Sequence, residues 1–397
     1  MYTNLDNCIV CENELVEVID LTEQPLANDF HKKNEIINKY PLKLMVCSRC
    51  FHSQLSVSVS PNILFKNYIY VSGTTKSAHE YFEKFSHKID KTCKQKNILD
   101  IACNDSTQLD YFKKLGWNTY GIDPAKNLKK ISENKGHNII CDYFNTQTAK
   151  RYSDEKIKFD VILAQNVFAH TKDIHNFVEG VKMIMDDETD FYIQTSQANM
   201  IDNVQFDTVY HEHISFFSSM SMNKIITSDD LYLNNIEIMD VHGGSYLFKI
   251  NKFKDENNNL KEFIEKESKL GRYDLKTYVD YGEKCLEFKS KLTKIIHSFD
   301  NKILVGYGAA AKGNTILNFC NIKLNYIVDE NSLKQNLFSP GMNIPIKDFD
   351  YLMNDEREKI VIPIAWNYYD EIKRKLINVK KYKLMRYYPN IEIDDQI

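Results

Sequence analysis

Residues 97–107 read NILDIACNDST and set the expectation for the fold. The first seven form an apolar run of the kind that parallel sheets bury on both faces, which predicts a strand at 97–103. The next four are small or polar, as at a tight turn. A helix is expected over 108–115, because Gly116 provides a stop directly after it. One strand–turn–helix unit is therefore predicted here.

The same unit recurs along the chain. Strands are predicted at 118–122, which ends at Asp123, and at 159–167. A further unit opens at 302–308. This repetition predicts α/β domains with doubly wound parallel sheets, which bind ligands at the carboxyl ends of their strands. We expect a small N-terminal module at 1–66, a first Rossmann-like domain at 67–230 and a second at 231–397.

The composition fits a folded chain with more than one domain. Of the 397 residues, 43% are hydrophobic and 12% are aromatic, which is enough for several cores. The formal net charge of −4 offers no basic surface for nucleic acid. No apolar run approaches the roughly 20 residues of a membrane-spanning helix, and the first residues lack a signal-peptide pattern. We expect a soluble, cytoplasmic protein that binds neither nucleic acid nor membranes.

Four of the nine cysteines form two CxxC pairs, Cys8 with Cys11 and Cys47 with Cys50. Each pair lets two sulfur atoms reach one tetrahedral ion at ~2.3 Å, and two pairs complete a four-thiolate zinc site. Four thiolates leave no coordination position for water or substrate, so the zinc ion is expected to be structural. The alternative, four unrelated buried cysteines, does not explain the spacing.

The predicted strand ends of the first domain suit a nucleoside. Asp123 follows the first turn by about twenty residues, where a carboxylate can accept both ribose hydroxyls. Residues 141–144 read CDYF and supply Asp142 and two aromatic rings, which suit the edge and face of an adenine. Each feature alone is compatible with an ordinary α/β domain, but their order along the chain favours a nucleoside site.

Residues 207–213 read DTVYHEH and concentrate titratable groups. His211 and His213 are candidate general bases, and Tyr210 is a candidate donor to an oxyanion. Alternate residues of an extended segment face opposite sides, so Tyr210 and His213 can meet over one substrate only if the chain bends. The alternatives are an inter-domain loop of mutually satisfied polar groups, and a metal site for which the sequence offers no third ligand.

Several further motifs follow one another along almost the whole chain. Besides the cysteine pairs they are YVSG at 70–73, DIACND at 100–105, GIDPA at 121–125, NVFAH at 166–170, YHEH at 210–213, HGGS at 242–245 and GYGAAAKG at 306–313. In this combination the chain resembles the S-adenosylmethionine-dependent sugar C-methyltransferases, which act on nucleotide-linked deoxy-keto sugars.

The resemblance implies a zinc-binding N-terminal module, a Rossmann-like class I methyltransferase domain and a C-terminal Rossmann-like nucleotide-sugar domain. It also implies methylation at C3 of a 4-keto sugar through an enolate. The base implied is His213, assisted by Tyr210, Glu212, His170 and Tyr70. The residues implied for S-adenosylmethionine are Ala102, Asn104, Asp105, Asp123, Asp142 and Asn166. Those implied for the nucleotide diphosphate are Lys312, Gly306, Gly308 and Asn314.

Two positions depart from the family pattern. The first turn of the family usually reads N-D-G, whereas this chain has Ser106 in third place, and Ala102 stands where many methyltransferases carry glycine. If Ser106 adopts a positive φ, it costs roughly 1 kcal/mol and weakens cofactor binding.

Two other functions also remain open. One is an oxidoreductase that binds nicotinamide through the glycines at 306–313 and Asp329. The other is a non-catalytic homologue that binds sugar nucleotides. The sequence does not fix the oligomeric state, and a monomer is compatible with it.

Overall fold

The computed structural model describes residues 1–33, 35–65, 71–91, 96–196, 200–241, 243–299 and 301–394. The elements of the N-terminal module are β1 (Tyr2–Asn4), β2 (Leu15–Pro25), β3 (Lys39–Cys47), β4 (Ser53–Leu55), β5 (Val57–Val59) and α1 (Pro61–Leu64). Strands β2, β3 and β4 are consecutive antiparallel neighbours, and β1 pairs with β5. Leu42, Leu44 and Val46 alternate along β3 and are buried, so one face of this sheet packs against a core.

The first α/β domain contains a seven-stranded sheet. Its elements are α2 (Lys76–Asp90), β6 (Asn97–Ile101), α3 (Thr107–Lys114), β7 (Asn118–Ile122), α4 (Lys126–Asn134), β8 (Asn138–Ile140), α5 (Thr146–Asp154), β9 (Val161–Gln165), α6 (Ile174–Ile184), β10 (Asp190–Thr195), β11 (Ser215–Phe216), α7 (Ser219–Ser228), β12 (Tyr232–Met239) and β13 (Ser245–Asn251).

The strand order of this sheet is β12-β13-β10-β9-β6-β7-β8. Strands β8, β7, β6, β9 and β10 run parallel, whereas β13 is antiparallel to both β10 and β12. Ile98, Leu99 and Ile101 of β6 are completely or almost completely buried, as expected of a central strand covered on both faces. The Rossmann-like sheet predicted from the sequence is confirmed.

This sheet extends beyond residue 230, where the sequence prediction places the domain boundary. Strands β12 and β13 follow that residue, yet β13 pairs with β10 from Phe191 opposite Ile250 to Thr195 opposite Tyr246. The strand at 245–251 therefore completes the first sheet and does not open the second. Periodicity alone cannot reveal this, because antiparallel addition at a sheet edge leaves no local signal.

The second α/β domain follows two helices, α8 (Leu260–Lys269) and α9 (Leu275–His297). Its elements are β14 (Ile303–Tyr307), α10 (Ala311–Phe319), β15 (Tyr326–Val328), β16 (Ile346–Lys347), α11 (Phe349–Asn354), β17 (Lys359–Pro363), α12 (Tyr369–Lys375), β18 (Tyr382–Arg386) and β19 (Glu392–Asp394). The strand order is β16-β15-β14-β17-β18-β19, parallel except for β19. The order reverses between β14 and β17, and such a switch point opens a ligand crevice. None of the helices in the described ranges has the length and apolar character needed to cross a membrane.

Two of the contacts that join the N-terminal module to the rest of the chain are made by its strands. Strand β11, which follows the DTVYHEH motif, pairs with β4 and becomes the fourth strand of the module's sheet. Helix α9 packs on β2, where a Cβ atom added to Gly282 would lie 2.1 Å from the Val18 carbonyl oxygen. The bare Cα of Gly282 therefore permits helix and strand to approach closely.

We expect Gly282→Ala to lower the free energy of unfolding by about 1–3 kcal/mol, because its methyl group would overlap a backbone oxygen. Alanine in place of glycine within a helix otherwise stabilises by about 1 kcal/mol, so the sign of the change reports the contact. Chemical denaturation compares this variant with Ser290→Ala at an exposed position of α9. Stabilisation by Gly282→Ala would contradict the packing described.

Candidate active site

The turn after β6 holds three non-glycine residues in the left-handed region. Ala102, Asn104 and Ser106 have φ angles of 61°, 52° and 61°. Ser106 thus takes the conformation that suits the family's glycine, at a cost of roughly 1 kcal/mol. Its side chain has no exposed surface. The serine therefore strains the turn without adding a solvent-facing side chain to it.

Asp123 connects the end of β7 to this turn. One carboxylate oxygen accepts the Asn104 N–H at 2.9 Å, and the other accepts the Ala125 N–H at 2.8 Å. Burial raises the pKa of Asp123, and these two N–H donors oppose the shift. Each oxygen retains a further lone pair, so the carboxylate is held in place while it can still accept hydroxyl groups.

The segment that follows Tyr70 covers the same turn. The Asn104 side-chain oxygen accepts the Ser72 N–H at 3.0 Å. A Cβ atom on Gly73 would lie 2.8 Å from Asp105 Oδ2 and 2.3 Å from Thr107 Oγ1, so this glycine is needed for the close approach. The Asp105 carboxylate accepts the Thr107 hydroxyl at 2.7 Å and thereby supports the start of α3.

The two remaining cofactor candidates lie at other strand ends. Asn166 follows β9 with a φ of 56°, and its side-chain oxygen is buried without a partner in the described ranges. Asp142 follows β8, is half-buried, and lies 3.5 Å from the Arg151 guanidinium. Parallel strands bring their carboxyl ends to one edge of the sheet, so both residues lie on the edge that carries Asn104 and Asp123.

The DTVYHEH motif bends between Tyr210 and His213, as is required for these two side chains to meet. The His213 N–H donates to the Tyr210 carbonyl oxygen at 2.9 Å and closes a turn. The Tyr210 hydroxyl then lies 2.9 Å from His213 Nε2. His213 Nδ1 lies 2.8 Å from the Thr208 carbonyl oxygen, which can only accept a hydrogen bond. The network therefore places the imidazole proton on Nδ1 and leaves the Nε2 lone pair directed at the phenol.

His170 lies beside this pair. Its ring centroid is 5.2 Å from that of His213, and the Phe65 ring stacks on it at 5.8 Å. Burial lowers the pKa of His170 to about 4, so the ring is neutral at physiological pH. Its Nε2 atom is buried without a hydrogen-bond partner in the part of the chain that the structure describes.

The other two motif residues face the N-terminal module. His211 Nε2 lies 3.3 Å and 3.2 Å from the carbonyl oxygens of Tyr40 and Pro41, and burial lowers the His211 pKa to about 4. Glu212 accepts a hydrogen bond from the Asn28 amide at 2.6 Å. His211 therefore has a different environment from His213, and Glu212 meets a residue far away in sequence. Tyr70 and His242 lie outside the described residues.

The C-terminal candidates lie near the switch point. Gly308 has a φ of 86°, and a Cβ atom there would lie 2.6 Å from Ala365 Cβ, so the turn requires glycine. Lys312 is half-buried in the first turn of α10, with its Nζ atom 5.2 Å from the Trp366 ring centroid. Burial lowers the pKa of Lys312, and the Asp207 carboxylate opposes that shift.

Two of the candidates for the diphosphate are occupied by protein contacts. A Cβ atom on Gly306 would lie 2.9 Å from a Leu324 methyl group, so this glycine serves packing in the core. The Asn314 amide donates to the Ala27 carbonyl oxygen at 2.8 Å and so connects α10 to the N-terminal module.

The nicotinamide alternative depends on Asp329, whose two carboxylate oxygens each accept a backbone N–H group. Its Oδ2 atom accepts the Ala309 N–H at 2.7 Å, and its Oδ1 atom accepts the Asn331 N–H at 2.8 Å. The Lys334 ammonium lies 3.8 Å away. Asp123 accepts backbone N–H groups in the same way, so these contacts do not by themselves decide between a dinucleotide and another ligand in this domain.

The four cysteines converge in the N-terminal module. Their Sγ atoms all lie within 4.8 Å of one another, and the closest pairs are 3.4 to 3.6 Å apart. Four thiolates around a zinc ion at ~2.3 Å would be separated by roughly 3.8 Å, so the cluster fits that ion. No other group of three or more histidine, cysteine and carboxylate side chains in the described ranges comes together in this way. His211 and His213 therefore form no metal site.

The sequence analysis assigned no role to three residues that contribute to the site. Asp207 stands in the quoted motif but received no role. Asn28 and Trp366 belong to other domains, and they contact the motif across 184 and 159 residues. Single-sequence patterns carry no signal for pairs at that separation.

Asp100 provides a test of the electrostatics at the cofactor edge. Burial, with the Asp123 and Asp105 carboxylates, raises the pKa of Asp100 to about 8. From about pH 4 to that value the folded chain keeps a proton that the unfolded chain releases, so stability falls as pH rises through this window.

Asp100→Asn imitates the protonated form and lacks this loss. The difference in free energy of unfolding, variant minus wild type, should therefore increase by on the order of 3 kcal/mol from pH 5 to pH 8. Denaturation curves across that range measure the gain, and a constant difference would contradict it.

Three family models match successive parts of the chain. They are described as a putative zinc binding domain at residues 8–65, a methyltransferase domain at 77–233 and a C-methyltransferase C-terminal domain at 240–385. They follow the module and the two α/β domains in order, although the third match begins before β13, which pairs into the first sheet.

Two relatives and one solved structure illustrate the similarity. The C-methyltransferase NovU of Streptomyces niveus is 26% identical over 93% of this chain and 91% of its own length. The ubiquinone biosynthesis O-methyltransferase of Bartonella tribocorum is 26% identical over 25% of this chain and 40% of its own. The plantazolicin methyltransferase BpumL, in complex with a pentazolic desmethylPZN analog and SAH, is 16% identical, with a TM-score of 0.37 over 45% of this chain and 87% of its own.

The domain matches follow the structure in order, and a methyltransferase relative aligns with nearly the whole chain. The chain is therefore an S-adenosylmethionine-dependent methyltransferase, and its successive domains are similar to those of C-methyltransferases.

Proposed function

We propose that the chain methylates the carbon beside the ketone of a nucleotide-linked deoxy sugar, at C3 of a 4-keto sugar. The relative that aligns with nearly the whole chain is a C-methyltransferase by name. The observation that supports the proposal most is the pair formed by Tyr210 and His213, in which an unprotonated imidazole nitrogen lies 2.9 Å from a phenol. Carbon methylation beside a ketone needs a base for the α-proton and a donor for the ketone oxygen.

In this proposal the substrate enters between the polar atoms of the two side chains. His213 Nε2 takes the α-proton, the C–H electron pair moves into the C–C–O system, and the Tyr210 hydroxyl donates to the resulting enolate oxygen. S-adenosylmethionine, when bound, supplies the electrophilic methyl group that the enolate carbon accepts. Holding the carbon and the methyl group in line contributes much of the rate.

Four further side chains are assigned to the sugar. His170 is neutral, and its Nε2 atom, buried without a partner in the described ranges, can bond to a sugar hydroxyl. Glu212 and Asn28, 2.6 Å apart, offer an acceptor and a donor on the side of the N-terminal module. Tyr70 is assigned to the sugar site on the family resemblance alone.

The cofactor is assigned to the edge formed by the carboxyl ends of the first sheet. Asp123 is proposed for the ribose hydroxyls, because Asn104 and Ala125 hold its carboxylate in place. Asp142 is proposed for the adenine. The strained turn at Ala102, Asn104 and Asp105, with Asn166 nearby, is proposed for the methionine portion.

The diphosphate is assigned to the start of α10. Lys312 supplies a cation, and the helix N-terminus supplies backbone N–H groups and a favourable dipole. Gly308 provides the positive φ that turns the chain into this helix. Gly306 and Asn314 contribute indirectly, since one packs in the core and the other fastens α10 to Ala27.

The cysteine cluster is assigned to a structural zinc ion. Purified protein should contain about one zinc ion per chain, because four thiolates saturate the ion. Cys50→Ser should lose the metal and unfold the N-terminal module, whereas Cys141→Ser, outside the cluster, should keep both. Metal analysis and circular dichroism measure this, and a wild-type chain without zinc would contradict it.

The catalytic assignment is tested with a matched pair from one motif, His213→Gln and His211→Gln. Both variants should bind S-adenosylhomocysteine in isothermal titration, because neither residue lies at the cofactor edge. With a 4-keto-deoxy sugar nucleotide and S-adenosylhomocysteine in D2O, the wild type should exchange the C3 proton. Only His213→Gln should lose this exchange and methyl transfer, by about 100-fold or more.

Two outcomes would contradict the proposal. The first is a wild-type protein that does not bind S-adenosylhomocysteine at millimolar concentration. The second is an exchange rate that His213→Gln leaves unchanged. Methylated products analysed by NMR distinguish carbon from oxygen methylation.

A further inference from the structure

Asp207 is a buried carboxylate to which the proposed chemistry assigns no role. It has no exposed surface. Its Oδ2 atom accepts the Trp366 indole N–H at 2.6 Å, and its Oδ1 atom has no hydrogen-bond partner in the described ranges. A buried carboxylate with one unsatisfied oxygen costs stability, so its presence calls for an explanation.

The surroundings of Asp207 come mainly from the second half of the chain. Burial raises the pKa of Asp207, and Lys312 of α10 and the Trp366 indole oppose the shift. The other titratable groups that influence it or are influenced by it are Tyr281 and Cys285 of α9 and Tyr387 and Tyr388 after β18. Among these side chains Lys312 is the cation and Trp366 donates directly to the carboxylate, and the backbone N–H groups of Asp207 and Thr208 also oppose the shift.

Trp366 is held firmly at the end of β17. A Cβ atom on Gly243 would lie 2.7 Å from its ring, and the Tyr388 ring centroid lies 5.3 Å away. The position of the indole N–H group, and of any side chain bonded to it, therefore depends on the position of the C-terminal domain.

Asp207 is followed by Thr208, whose carbonyl oxygen accepts the Nδ1 proton of His213 at 2.8 Å. Both residues belong to one short helical turn, Phe206–Thr208, which packs against α10. Asp207 and the Thr208 carbonyl therefore move with the same turn, so the position of the Asp207 side chain affects the acceptor that fixes the His213 tautomer.

We propose that the hydrogen bond between Asp207 and Trp366 is a positioning device by which the C-terminal domain fixes the tautomer of His213. Asp207 and Trp366 act through Thr208 and touch no reacting atom. The inference rests on the proposed role of His213 as the base. Nucleotide binding at α10 and proton abstraction in the methyltransferase domain are thereby coupled through one side-chain contact.

The test compares Trp366→Phe and Asp207→Ala with a conservative variant, Asp207→Asn, which keeps an acceptor for the indole. The matched control is Trp117→Phe, because Trp117 donates an equivalent bond to Asp90 at 2.7 Å elsewhere in the methyltransferase domain. Each full-length, zinc-loaded protein is labelled with 15N in its histidine rings. The His213 signal is the one that disappears in His213→Gln, and its nitrogen shifts report the tautomer.

Wild type, Asp207→Asn and Trp117→Phe should show a protonated Nδ1 and a bare Nε2. Trp366→Phe and Asp207→Ala should show a mixture of tautomers, with kcat lower by about 10- to 100-fold and unchanged affinity for S-adenosylhomocysteine. An unchanged tautomer and kcat in both variants would overturn the proposal, as would a wild-type His213 protonated on Nε2. Loss of the proposed sugar activity in the wild type would instead contradict the proposed function, while the tautomer measurement would still decide this inference.

Discussion

The segment from Phe206 to Phe216 is the constraint on which the rest of the site depends, because three folded units hold it at once. Its end, β11, completes the sheet of the N-terminal module. Its beginning is fastened to the C-terminal domain through Trp366. Between these anchors the chain makes the turn that brings Tyr210 to His213. If the segment were fixed at only one end, no contact at the other end would hold that turn in place.

This arrangement gives a structural reason for the cysteine cluster. Four thiolates leave no open coordination position on a metal ion, so the cluster can act only by supporting the fold. Cys47 and Cys50 flank the turn between β3 and β4, and β4 is the strand that receives β11. A structural ion there would stiffen the anchor of the segment that carries Tyr210 and His213 without contact with substrate. The Asn28 side chain, from the same module, reaches Glu212 and extends that support to the site itself.

The sequence predicts local features well and distant pairings poorly. Short stretches of sequence are enough to predict the two CxxC pairs, the strand β6 and the turn at Ser106. The structure confirms the sheet and the positive φ of Ser106. The addition of β12 and β13 to the first sheet was not predictable, because edge pairing depends on residues about 60 positions apart. The contact between Asp207 and Trp366 could not be predicted from the sequence for the same reason, and it is one of the contacts that hold the motif in place.

The environment of the histidines shows why hydrogen bonds, not burial alone, must set up a base. Burial lowers the pKa of His52 to about 3 and those of His170 and His211 to about 4, so each is neutral but weakly basic. A carbonyl acceptor on Nδ1 increases the electron density at Nε2 and stabilises the imidazolium that forms after proton abstraction. Thr208 provides that acceptor for His213. His211 also faces two carbonyl oxygens, but its other ring nitrogen has no hydrogen-bond partner in the described ranges. What distinguishes His213, the proposed base, is the Tyr210 hydroxyl that lies 2.9 Å from the nitrogen opposite its carbonyl acceptor.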